Sequence, residues 1–220
     1  MLGSGRGHLD LEFVLRFLPN VEKLTAVEPD ADQMAAFKTR VAELLPDLSV
    51  EFCQETAQSW KGSDQPFDAV LLFHLLYYIP ESERPALFAK LDRVVANSGL
   101  VLIVTAPCDI RNSTIARRLI DLLSLSSFDF FHAADAAQVC NMMTSAGFRN
   151  FYQLPIEYRF DVTEESDGED LISLFVFWSR GMLSQETIRE ALREVAGSET
   201  SLQTDVWFGM FEKRDSGHVQ

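Results

Sequence analysis

Runs of apolar residues alternate along the chain with stretches whose apolar positions recur every three or four residues. That is the pattern of strands interleaved with amphipathic helices. From Gly7 to Leu18, the spacing of Leu11, Val14, Leu15 and Leu18 predicts a helix. KLTAVE (Lys23 to Glu28) reads as a short strand. Asp32 to Leu45 returns to helix, with Met34, Phe37, Val41 and Leu45 on one face. SVEFC (Ser49 to Cys53) is the next strand. FDAVLLFHLLYYI opens with the continuous apolar run expected of a strand covered on both faces. Pro80 ends that element, and Glu81 to Ala96 is an amphipathic helix. NSG then turns into LVLIVTA (Leu100 to Ala106), a second buried strand. Helices are predicted at Ile115 to Leu125 and from Ala133 to Ser145, where Gly147 stands as the C-cap glycine. Phe148 to Val162 is read as a strand, Leu171 to Ser179 and Ser184 to Val195 as helices, and Asp205 to Lys213 as the last strand.

Strands alternating with helices predict an α/β fold: a mainly parallel sheet with helices on both faces. A chain of 220 residues fits one such domain, here residues 1–214, followed by a polar tail, 215–220, that should fray. No run of about 18 apolar residues is present to span a membrane, so no membrane partner is expected. The first residues lack the basic and apolar segments of a signal peptide. Cys53, Cys108 and Cys140 form no CxxC pair, which argues against zinc and fits a reduced, cytoplasmic compartment. A formal net charge of −14 argues against nucleic acid as a partner, because phosphate binding needs a basic face. It leans instead toward a neutral or cationic small substrate. Nothing in the pattern demands an oligomer, so a monomer is expected.

In parallel sheets of this kind, ligands bind beyond the carboxyl ends of the strands. Two features stand at such places. GSGRG sets Gly3, Gly5 and Gly7 two residues apart at the start of the first helix, where glycine permits a tight turn beside unpaired helix N–H groups. Glycine and serine at a chain end are otherwise simply flexible. A dinucleotide fingerprint would need its third glycine at position 8, where His8 stands, so a nicotinamide-dependent oxidoreductase is disfavoured. The second feature is Glu28, which closes the following strand 21 residues beyond Gly7. A carboxylate there can accept hydrogen bonds from both hydroxyls of a ribose.

GSGRG, VEP (Val27 to Pro29) and the apolar strand ending in HLLYY together resemble a class I S-adenosylmethionine-dependent methyltransferase. More narrowly, LGSGRGHLDL, AVEPDADQM and HLLYYI are similar to motifs of histamine N-methyltransferase and its relatives, which methylate imidazole or other small amines. The likeness runs from residue 2 to about residue 110. It implies a Rossmann-like, seven-stranded sheet whose last strand is antiparallel, and S-adenosyl-L-methionine as methyl donor. By this resemblance Gly3 and Gly5 would lie in the turn against the amino-acid part of the cofactor. Glu28 would bind its ribose, and Gln33 would add a contact from the next helix. Ala57 would stand by the adenine, where the family carries a hydroxyl. Phe73 would pack on the adenine or the methionine portion. His74, in place of a family glutamine, would face the substrate with Tyr77 and Tyr78. Phe175 and Thr204 would complete the substrate side, Thr204 replacing an asparagine of the family.

The resemblance also implies an acceptor other than histamine. The family carries tryptophans after the fifth strand, and DIRNSTIARRLIDLL has none. A first strand reduced to Met1 and Leu2, with no helical lid region before it, implies a shortened domain. Two functions therefore stand beside each other: an N-methyltransferase acting on a small imidazole or amine, and a methyltransferase-like protein that binds ligand or partner without turnover.

Overall fold

The computed structural model describes residues 1–105, 134–161 and 201–214 and five isolated positions between 186 and 197; for 158–161 and 201–205 only the backbone is described. The elements in chain order are α1 (His8–Phe17), β1 (Lys23–Val27), α2 (Ala31–Leu44), β2 (Ser49–Cys53) and β3 (Phe67–Phe73). A 3-10 turn follows (Leu76–Tyr78), then α3 (Arg84–Val94), β4 (Val95–Thr105), α4 (Ala136–Ser145), β5 (Phe148–Asp161) and β6 (Ser201–Lys213).

β1 pairs in parallel with β2, and β3 in parallel with β4. β6 lies antiparallel between β4 and β5, giving the order β3-β4-β6-β5. The two groups of strands meet at the chain start. Leu2 forms a parallel bridge with Val27, and its N–H donates to Leu71 O at 3.0 Å. Leu2 thus lies at a strand position between β1 and β3.

Both faces of the sheet are covered, which explains the unbroken apolar run of β3. Leu71 and Phe73 point to a cluster with Leu11, Val14 and Phe37 from α1 and α2. Val70 and Leu72 point the other way, to Phe88, Leu91, Val139 and Met143 from α3 and α4. α2 starts on a capping arrangement written in EPDADQ: Asp30 Oδ1 accepts the Gln33 N–H at 2.9 Å.

Several expected boundaries move. NSG does not turn the chain into a later strand. β4 begins directly after α3 and runs through it, with Ser98 at φ 59° and a register break between the Phe67↔Val95 and Ala69↔Leu100 pairs. The extra residues are absorbed as a bulge. α3 starts at Arg84, with Pro85 in its first turn, rather than at Glu81. β6 starts at Ser201 because its long partner β5 pairs with it out to Asp161. Thr204 is therefore inside the last strand, opposite Tyr158, and not before it. Leu15 is exposed, although its spacing assigns it to the buried face of α1. The helix expected at 115–125, the one at 171–179, Phe175 and the tail lie outside the described residues, as does most of 184–195.

Candidate cofactor and acceptor site

The glycine turn enters α1 with a backbone that only glycine adopts readily: Gly5 has φ 51° and Gly7 φ 76°. Their surroundings differ. A Cβ on Gly7 would stand 2.6 Å from the Phe37 ring, whereas one on Gly5 would meet nothing within 4 Å. Gly7 fixes the packing of α1 on α2, and Gly5 presents an open face. The space beside Gly3 is taken by the Leu75 side chain, 2.7 Å from where its Cβ would be.

Glu28 is buried just past the end of β1. Its Oε2 accepts the Gly5 N–H at 2.9 Å and its Oε1 the Asp30 N–H at 3.1 Å. The carboxylate therefore ties the glycine turn to the start of α2, and Asp30 carries the tie on to Gln33, which is also buried. A carboxylate can accept about four hydrogen bonds, so these two are compatible with a ribose diol on the same group.

His74, the residue after β3, has φ 54°, unusual for a residue with a Cβ, and its N–H donates to Val104 O at 2.8 Å. The ring stands 6.1 Å from Tyr77, and Tyr77 stands 4.8 Å from Tyr78, centroid to centroid. Burial pushes the His74 imidazole down to about 4, so the ring is neutral at neutral pH. Burial raises the Tyr78 phenol, with the Glu28 carboxylate adding to the effect, which places Tyr78 within electrostatic reach of the turn. Behind this aromatic group Arg84 is fully buried, and its Nε donates to Ile79 O at 3.0 Å. It fixes the end of the HLLYYI segment from below.

Gly5, Glu28, Gln33, His74, Tyr77 and Tyr78 are thus gathered beyond the carboxyl ends of β1 and β3. Ala57 and Phe73 are buried in the two cores, Ala57 beside Trp60 and Phe73 with its ring edge-on to Phe13 at 5.4 Å. Thr105 pairs with Trp207, so the first part of β6, which carries Thr204, extends past the carboxyl end of β4 on the same side as His74.

Three further residues support the site. Asp10, in the first turn of α1, is buried, and its Oδ1 has no hydrogen-bond partner among the described residues. Burial pushes its carboxyl up to about 7, against the pull of the Met1 ammonium. Lys90 Nζ donates to the carbonyls of Ala57, Gln58 and Trp60 at 2.9, 2.7 and 2.6 Å, holding the turn after β2. Asp30 is the third. The D-x-x-Q spacing signals the role of Asp30, and the isolation of Asp10 on the apolar face of α1 marks it as unusual. Lys90 carries no local signal, since its partners are some thirty residues away.

Residues 1–99 match the family model described as a methyltransferase domain. A search of curated protein sequences gives no match. Among solved structures, a candidate methyltransferase from Bacillus halodurans C-125 superposes with a TM-score of 0.65 at 16% identity, covering 97% of this chain and 91% of that one. The cyclopropane synthase MmaA2 from Mycobacterium tuberculosis gives 0.64 at 11% identity, covering 96% and 76%. The magnesium protoporphyrin IX methyltransferase of Synechocystis PCC 6803, solved with bound SAH, gives 0.57 at 10% identity, covering 96% and 71%. At such identities these likenesses establish the Rossmann-like fold.

Proposed function

We propose that this chain is a class I S-adenosylmethionine-dependent methyltransferase, a reading that its fold and the match of residues 1–99 support, and that it N-methylates a small imidazole or amine. The observation that carries the cofactor half of this reading is the Glu28 carboxylate, buried and bonded to the Gly5 N–H. Glu28 would hold the ribose, Gly3 and Gly5 the amino-acid part, and Gln33, Ala57 and Phe73 the rest of the nucleoside. The cofactor supplies a methyl group on a sulfonium, already activated toward a nitrogen lone pair.

The protein then contributes proximity and orientation. The neutral imidazole of His74 can hold an acceptor N–H and so aim the lone pair of the attacking nitrogen. With a value near 4 it is too weak a base to take up a proton at neutral pH. Its part in this reading is orientation. Tyr77 and Tyr78 offer aromatic faces to a cationic acceptor, worth about 0.5–2 kcal/mol. By the family resemblance Phe175 and Thr204 would complete the acceptor side.

Two measurements test this. Calorimetry with S-adenosylmethionine should give binding that Glu28→Ala weakens at least about tenfold, since a hydrogen bond to a charged group contributes about 1.5–3 kcal/mol. An unchanged affinity removes Glu28 from the cofactor site. Transfer of a labelled methyl to a panel of imidazoles and amines tests the acceptor. Cofactor binding without transfer to any of them favours the non-catalytic reading.

A further inference from the structure

The carboxyl end of β2 lies against the end of β1 that carries Glu28. Cys53 O accepts the Glu28 N–H at 3.1 Å and the Glu55 N–H at 3.0 Å. Directly after it the chain makes one isolated helical turn, closed by the Trp60 N–H on Thr56 O at 3.0 Å. A single turn fixes several torsions for one backbone bond, so it does not persist unaided. Its ends also leave backbone donors and acceptors without partners inside the turn.

The N-terminal end is satisfied locally. Thr56 N–H donates to Ser59 Oγ at 3.1 Å, and Ser59 N–H donates to Thr56 Oγ1 at 3.0 Å. The carbonyl end draws on α3. Lys90 Nζ donates to Ala57 O, Gln58 O and Trp60 O, each within 2.9 Å. An ammonium has three donors, so all of them are engaged on this turn. Burial lowers its affinity for the proton, Arg93 acts in the same direction and Glu55 opposes, as expected of a charge that has exchanged water for carbonyls. Gln58 Nε2 adds a second tie, donating to Glu83 Oε2 at 3.0 Å at the start of α3. Glu83 and Lys90 are two turns apart on one face of the helix, roughly 10 Å along its axis. The same helix holds the acceptor-side segment: Arg84 Nε donates to Ile79 O, and Leu87 and Phe88 share one apolar cluster with Ala57, Trp60, Leu76 and Ile79.

We propose that Lys90 is a positioning residue of the cofactor site: by gathering three carbonyls it sets the place of the turn that meets the adenine. The proposal rests on the reading that Glu28 holds the ribose and Ala57 stands by the adenine. The observation that carries it is the convergence of one turn's carbonyls on a single ammonium from another element, beside the strand end that bears Glu28. α3 is then a bracket, with the adenine-side turn on Lys90 and Glu83 and the aromatic segment on Arg84.

The test compares the full chain with Lys90→Met, which keeps the stem and removes the ammonium. Calorimetry is run with S-adenosylmethionine and with adenosine, which lacks the methionine portion. Lys90→Met should weaken both by the same factor, at least about fivefold, the contribution of about one hydrogen bond to the base. Val139→Ala removes apolar bulk from the same cluster at α4 and leaves the ammonium in place. It should lower the melting midpoint and keep the parent's affinity for both ligands. A second measurement needs no substitution. In the parent, saturating adenosine should shift the Nζ resonance of Lys90 and slow amide exchange at Gln58 and Trp60. Should Lys90→Met not fold, that measurement decides alone. Unchanged affinities in Lys90→Met, a loss confined to S-adenosylmethionine, an equal loss in Val139→Ala, or a Lys90 resonance indifferent to adenosine overturns the inference and leaves the Glu28 reading standing. A parent chain that binds neither ligand overturns that reading and this inference with it.

Discussion

Replacing His74 by asparagine removes the imidazole and keeps a residue that tolerates a left-handed backbone, as the φ of 54° requires. In the unfolded chain a histidine titrates near 6.5; in the fold, burial holds His74 near 4. As pH falls below 6.5 the unfolded state takes up the proton first. Stability is therefore lost between about 6.5 and 4 and levels off below that. At pH 4.5 the loss relative to pH 7.5 is about 2.5 kcal/mol from this one group. That is a ceiling, because the ring is half-buried and water reaches part of it. Urea unfolding at the two pH values reads it directly. The asparagine variant should lose up to about 2.5 kcal/mol less than the parent over the same interval. If both chains lose stability in parallel, His74 titrates normally. The neutral orienting role assigned to it at the acceptor then falls too.

Asp10 titrates with the opposite sign. Its carboxyl is raised to about 7, so the fold holds a proton that the unfolded chain has released, and stability falls as pH rises through 7. Asp10→Asn should gain on the parent by about 2 kcal/mol more at pH 8.5 than at pH 5.5; a constant difference in urea midpoints between those values refutes this. Gly5→Ala should cost about 1–2 kcal/mol from backbone strain alone, and Gly7→Ala clearly more, since its Cβ also meets the Phe37 ring. Equal losses in thermal unfolding would mean that the Phe37 contact yields freely. Lys90→Met should destabilise by about 1–3 kcal/mol and speed amide exchange around Trp60, because three carbonyls lose their donor.

The elements written in consecutive residues were legible in the sequence. β1 ending one residue before Glu28, the capped start of α2 and the HLLYY segment after β3 all sit where periodicity and turn residues place them, to within a residue. What periodicity does not carry is the choice between the two faces of a strand covered on both. Leu72 and Phe73 follow each other in β3 yet join different clusters, Leu72 with Phe88 and Phe73 with Leu11 and Val14. The bulge at Ser98 and the early start of β6 depend on partners, Phe67 and Asp161, that are distant in sequence. Lys90 illustrates the same limit. Its pattern is that of a solvated helix face, and only the fold brings three carbonyls to it.

The strand order sets a sequence of events during synthesis. β6 is the last strand made, yet it is inserted between β4 and β5. Until residues 201–213 leave the ribosome, β4 has an unpaired edge and β5 has no place in the sheet. A nascent chain thus displays Val101, Ile103 and their neighbours along an open edge for much of its elongation, the kind of surface that recruits chaperones or pairs with another chain. Truncation before Ser201 should therefore aggregate this protein, whereas truncation after Lys213, which keeps β6, should not.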